Sequence, residues 1–188
     1  LEGRLTGEQR WVLQELWEQL EFLEGEVARY DTQIAQQMSP YEAILGRLLT
    51  IDLIQRRSAE NILAEIGPDL AAFPRAAQLV SWSGLCPGSE ESGGRNRSGK
   101  SPKGNRWLKR ALLEPAWCAA RRKDGYLAAL YQRLAWRRGE KRAVVAVART
   151  LLQAVWYVVH EGATYRELGG DHFPRQASEK TKHKLLHR

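Results

Sequence analysis

The sequence predicts an all-α fold: a long N-terminal coiled-coil helix followed by a compact multi-helix domain. Three observations predict it. Leu13, Leu16, Leu20, Leu23, Val27, Tyr30 and Ile34 recur at alternating spacings of three and four, the period of a helical seam. Downstream, apolar residues return at helical spacing between glycine and proline breaks. No segment alternates apolar and polar residues at the period of two that a strand requires. A chain of 188 residues with 43% hydrophobic residues can bury one sizeable core, or a smaller core plus an extended helix.

The first element opens with Thr6, followed three residues later by Gln9, the spacing of a capping box. One helix then runs over roughly residues 7–38 and stops at Ser39-Pro40, because a residue before proline is pushed out of the helical region. Glutamates flank the seam, which holds its register over three heptads. That regularity favours a coiled coil, pairing two copies or a partner helix, over a helix folded back on its own domain. Trp11 and Trp17 lie beside the seam and read as packing residues. The coiled-coil segment is placed at residues 1–40.

Residues 41–66 read as two short helices with a break at 51–55. Ala59, Ile62, Leu63 and Ile66 form the apolar face of the second, and Gly67-Pro68 ends it. Another short helix is centred on Phe73, Ala77, Leu79 and Val80. After a Gly/Ser-rich loop, Arg106 to Lys123 has helical spacing. Trp107, Leu108, Leu112 and Trp117 form its apolar stripe, and Arg106, Lys109, Arg110, Arg121 and Arg122 its polar side. Gly125 breaks the chain. Tyr126 to Arg138 is a further helix with a basic end at Arg133, Arg137 and Arg138, and Gly139 is its C-cap. Glu140 to His160 is the most apolar helix and the expected centre of the core, ended by Gly162. These elements make one domain over 41–170. Residues 171–188 are polar and basic, without apolar periodicity, and read as a disordered basic tail.

The net charge is +7. Residues 1–34 hold eight acids and three bases, so the positive excess lies downstream and points to an acidic partner such as nucleic acid. It concentrates in GLCPGSEESGGRNRSGKSPKGNRWLKR, residues 84–110, where the sixteen residues from Arg95 to Arg110 carry seven Lys or Arg and no acid. Glycines allow close backbone approach to a ligand, interleaved cations neutralise phosphate, and a helix N-terminus offers N–H groups to an anion. A phosphate-backbone site and a solvated surface loop both fit this composition. Cys86 and Cys118 are far apart in sequence and fit no metal-ligand spacing, so reduced thiols are expected. No signal peptide is visible. The apolar run Ala143 to Val159 is short for a membrane span and is interrupted by Arg149, so no membrane association is expected.

The order GLCP, ESGG, GKSPKGNRWLKRAL, KRAVVAVARTLL and then Tyr165 resembles the C-terminal transposase domain of the insertion-sequence 110/116/902 group. The likeness runs from about Leu48 to Tyr165, and the heptad helix resembles the coiled coil that precedes this domain in the group. These are DEDD-type transposases, or serine-containing recombinases, guided by a bridge RNA. The resemblance implies a cytoplasmic, nucleoid-associated protein of bacteria or archaea. DNA and the guide RNA would be its partners, with a homo-oligomer (dimer or tetramer) formed through the coiled coil. It implies DNA cleavage and rejoining through a serine nucleophile, here Ser92 in Glu91-Ser92-Gly93-Gly94; Ser89 and Ser98 lack the pattern. Gly93, Gly94 and Gly104 would set the loop geometry, with Gly104-Asn105 as the group's Gly-Asn turn. Arg95, Arg97, Lys100, Lys103, Asn105, Arg106, Lys109 and Arg110 would bind nucleic acid. Where the group has a hairpin with two glycines, this chain reads IDLIQRRSA, with Leu53 and Gln55 in their places. The helix-hairpin-helix-like element is thus degenerate, and Arg56 and Arg57 are left to supply charge instead. The chain would bind no cofactor itself. Magnesium belongs with the four acids of the group's RuvC-like domain, which does not precede Leu1, so the chain alone is expected to be inactive in full recombination. A non-catalytic nucleic-acid-binding and dimerisation module is the alternative.

Overall fold

A computed structural model describes residues 3, 5–87, 90–92, 95–97 and 102–174; for 90–92 and 95–97 it describes the backbone alone. The chain divides into two compact units, residues 1–42 and 43–188.

The first unit is essentially one helix, α1 (Gly7–Met38), of 32 residues. Its capping box forms as the sequence predicts. The Gln9 N–H donates to Thr6 Oγ1 at 3.3 Å, and the Thr6 N–H donates to Gln9 Oε1 at 3.0 Å. A short 3-10 turn at Ser39–Tyr41 follows, with Pro40 inside it. Among the described residues of α1 none is buried. Trp11 and Trp17 stand in solvent, and the Trp17 indole N–H donates to Glu21 Oε1 at 2.6 Å.

The second unit is a bundle of short helices around one long one. It comprises α2 (Glu42–Leu48, its first residue at the unit boundary), α3 (Arg56–Ile66), α4 (Ala76–Ser83), α5 (Arg106–Arg121), α6 (Tyr126–Arg138) and α7 (Glu140–Glu161). The break predicted at 51–55 is present, and it carries Ile51 and Ile54 into the core. Helix α7 packs against α4, α5 and α6 and buries nine residues, among them Val147, Leu151, Leu152 and Val155. Each large aliphatic side chain so buried contributes about 1.5–3 kcal/mol. This helix is long and apolar enough to cross a membrane, and half of it is the centre of the bundle instead. Phe73, expected within α4, precedes it; its carbonyl accepts from the Trp156 indole N–H at 2.8 Å.

Besides Phe73, and Trp11 and Trp17, read as packing residues but standing in solvent, the structure departs from the sequence expectation at four further points. Residues Glu90–Ser92 (β1) and Arg95–Arg97 (β2) form a small antiparallel hairpin. Two residues of the Gly-Gly type between short strands are a hairpin signal that the search for longer alternation passes over. Helix α5 ends at Arg121, two residues early, and runs through Pro115, which leaves the Ala111 carbonyl without its intrahelical donor. Trp107 and Trp117 are not core residues. The buried face of α5 is Leu108, Ala111, Leu112, Pro115, Ala116 and Ala119, and its helical period puts both indoles outside, 55% and 40% exposed. Finally, residues 171–174, expected in the disordered tail, pack back onto α6: the Phe173 ring stacks on Tyr126 at 5.2 Å. The remainder of that tail, 175–188, lies outside the described residues.

Candidate nucleic-acid interface

The loop between α4 and α5 is closed at its neck. Gly84 caps α4 in the left-handed conformation (φ +71), and Gly104 (φ +52) approaches it from the other strand of the loop. A Cβ on Gly104 would overlap the Ser83 carbonyl. One on Gly84 would meet the Pro102 carbonyl oxygen at 2.6 Å and Lys109 Nζ at 2.7 Å. Only glycine combines a positive φ with this backbone approach. Ser83 below is buried, and its hydroxyl donates to the Val80 carbonyl at 2.8 Å. Lys109 then ties the neck: its ammonium donates to the carbonyls of Pro102 at 2.8 Å and Lys103 at 2.7 Å. Partial burial lowers its pKa from the usual lysine value.

Asn105 starts α5. Its Oδ1 accepts from the N–H groups of Trp107 at 2.9 Å and Leu108 at 3.0 Å, while its Nδ2 donates to Glu65 Oε2 of α3 at 2.5 Å. Two of the orphan N–H groups of the first turn are therefore satisfied within the protein. Of the cations and polar groups read from the sequence, Asn105 and Lys109 are thus engaged in holding the loop and helix, and Arg56 forms an ion pair with Glu60 at 2.5 Å. Arg57 is exposed on α3.

Lys103, Arg106 and Arg110 remain on the solvent side. Arg106, Arg110 and Trp117 follow one another at helical spacing, and the Arg106 guanidinium lies 4.4 Å from the centre of the Trp107 ring. With Leu113 and Glu114 they line a shallow open depression. The arrangement offers three cations and two exposed indoles against a single carboxylate, a surface chemistry that suits phosphate and nucleobase together. Within the loop, the hairpin register pairs Ser92 with Arg95, Glu91 with Asn96 and Glu90 with Arg97. The side chains of Ser92, Arg95 and Arg97, and the whole of Gly93, Gly94 and Lys100, lie outside the described residues.

Sequence reading missed the partnership of Asn105 with Glu65, forty residues away, for which one sequence carries no signal. It also missed the exposed indoles, which the buried spacing of α5 could have shown. A second cluster lies at the start of α6. Glu167 accepts from the Tyr126 N–H at 2.6 Å and from the Tyr165 hydroxyl at 2.8 Å, and the Tyr165 N–H donates to Thr50 Oγ1 at 2.9 Å. Burial first, and then the Glu167 carboxylate, push the Tyr165 pKa well above the usual tyrosine value. Both cysteines are free.

Residues 45–132 match the transposase IS116/IS110/IS902 family. The chain is 31% identical over 160 residues to a probable family 20 transposase of Pseudomonas aeruginosa, covering 82% of this chain and 46% of that protein. It is 32% identical over 111 residues to an uncharacterized 43.6 kDa protein of insertion element IS110 in Streptomyces coelicolor, covering 58% of this chain and 27% of that one. The matched stretch therefore spans less than half of either relative.

Proposed function

We propose, from the match of residues 45–132 to the transposase IS116/IS110/IS902 family, that this chain is the coiled coil and serine-bearing part of an RNA-guided DNA transposase. In this reading the Ser92 hydroxyl attacks a DNA phosphorus. An Oγ–P bond forms, the bond from phosphorus to a deoxyribose oxygen breaks, Oγ loses its proton and the departing oxygen gains one. The covalent ester keeps the energy of the phosphodiester for rejoining. A serine hydroxyl needs an activating base, and its transition state needs cations around the phosphoryl oxygens. Lys103, Arg106 and Arg110, with Arg95, Arg97 and Lys100, are the groups proposed to supply that charge.

The observation that supports the reading best is the closed neck. Gly84, Gly104 and Lys109 hold both stems of the loop against the first turn of α5, and the hairpin register pairs the backbone of Ser92 with that of Arg95. A loop anchored at both stems can present a hydroxyl to a phosphate with little ordering cost. Among the described residues no three His, Cys, Asp or Glu side chains gather to hold a metal, so they do not fit one. Any divalent metal, its carboxylates and the guide RNA would join from the remainder of the transposase. The exposed seam of α1 would pair with a second copy.

The test is trapping on a cleavable DNA substrate with the remaining transposase parts and guide RNA supplied. The unaltered chain should form a protein–DNA adduct and Ser92→Ala should bind without forming one. An adduct that persists in Ser92→Ala overturns the assignment. A chain that binds DNA, never forms an adduct and ignores Ser92→Ala supports the non-catalytic binding and dimerisation module.

A further inference from the structure

The corner where α6 passes through Gly139 into α7 plays no part in the site described above. Residues 133–142, RLAWRRGEKR, hold five bases and one acid, Glu140. Arg137, Arg138, Lys141 and Arg142 are all exposed, and none is paired with an acid among the described residues. Immediately before Arg137 stands Trp136, 92% exposed, the most exposed large apolar side chain described. One turn back, the Arg133 guanidinium lies 5.0 Å from the centre of the Phe173 ring. Arg149 is exposed further along α7.

Folding accounts for only part of this. Arg137 and Arg138 sit in the last turn of α6, where the helix dipole favours cations. Lys141 and Arg142 sit in the first turn of α7, where it disfavours them. An indole left in water contributes no burial at all. Together they make an exposed group of cations next in sequence to an exposed aromatic side chain, more positive charge than the helix ends call for and a match for a particular ligand. Phosphates would pair with the four cations, and a nucleobase free of its partner would stack on the indole.

We propose that this corner is a second nucleic-acid contact, taking a strand with an unpaired base: Trp136 stacks the base while Arg137, Arg138, Lys141 and Arg142 hold the flanking phosphates. It rests on the nucleic-acid-binding part of the reading above, not on Ser92. The strand can be DNA or RNA, since base and phosphate are common to both.

The test uses the full chain with single-stranded DNA, single-stranded RNA and blunt duplex DNA as probes, titrated over a range of salt. Replacing Arg137, Arg138, Lys141 and Arg142 together by Ala should weaken single-strand binding at least about tenfold near physiological salt and flatten the salt slope by about three. Trp136→Ala should weaken it about tenfold with the slope unchanged, and Trp136→Phe should restore most of the loss. A larger Trp136 effect on one of the two strands identifies which the corner holds. All five side chains are exposed, so the variants should keep the wild-type fold, checked by circular dichroism. Affinity and slope that match wild type in both variants overturn the proposal. So does tight binding to phosphatidylserine vesicles, abolished by these changes, with nucleic-acid binding intact. Arg106→Ala/Arg110→Ala separates the two ideas. If that pair weakens binding and the corner does not, the corner falls and the α5 surface stands; if neither does, both fall.

Discussion

Helices α1 and α7 are the two longest in the chain, and both are rich in apolar residues at helical spacing. In α7 nine residues are buried; among the described residues of α1 none is. The seam residues Leu13, Leu16, Leu20, Leu23, Val27 and Tyr30 remain between 45% and 56% exposed. The difference lies in the width of the apolar surface. Helix α7 is apolar on most of its circumference and so requires neighbours on several sides, which α4, α5 and α6 supply. Helix α1 has a narrow stripe flanked by glutamates, which one partner helix would cover. A short break in a chain can fold several helices around the first kind of surface. The second kind has the width that a single partner helix covers.

The comparison can be broken most severely at the seam. If α1 pairs two copies as proposed, Leu16→Lys with Leu23→Lys should abolish that self-association, read by light scattering, and leave the unfolding of residues 43–188 unchanged. An oligomer that survives both lysines removes α1 as the pairing surface. In the core, Leu152→Ala should cost about 2–5 kcal/mol in denaturant unfolding, whereas Leu20→Ala should shift that same transition by less than about 0.5 kcal/mol. Similar losses from the two would show that α1 belongs to the bundle after all. At the head of α5, Asn105→Ala removes the cap and leaves Glu65 without its amide partner, for about 1–2 kcal/mol. Asp at this position would keep the cap but set a carboxylate against Glu65, and should recover less than half of the loss.

The smallest effect concerns pH. The Tyr165 hydroxyl is held neutral by burial and by Glu167, with its pKa raised from 10.0. The unfolded chain ionises from about pH 10, the folded one only above it. This contribution to stability is complete below pH 10 and is lost as pH rises beyond it. Tyr165→Phe should therefore show a shallower alkaline loss of stability than wild type in denaturant titrations repeated across that range. Equal slopes in the two proteins would mean that Tyr165 is not held this way.

Much of the fold was legible because its punctuation is local. Thr6 and Gln9, Pro40, Gly67-Pro68, Gly139 and Gly162 each act on their own backbone or within one turn, so one sequence suffices to place them. The indoles of α5 were misplaced because a tryptophan in an apolar neighbourhood was read by its type and not by its angle on the helix. The loop glycines were legible as glycines, but their partner was not: Gly104 is required by the Ser83 carbonyl, twenty-one residues earlier in the chain.

What the sequence alone determined is the set of helices, most of their ends, and the concentration of positive charge between residues 95 and 110, since propensity, capping and composition are properties of short stretches. Only the tertiary structure decided which polar groups are spent on the fold. Asn105 and Lys109 have the same composition signal as Arg106 and Arg110. The first two are turned to Glu65 and the first-turn N–H groups of α5, and to the carbonyls of Pro102 and Lys103, backbone groups at a helix start and loop neck that need partners, and the second two are left to the solvent.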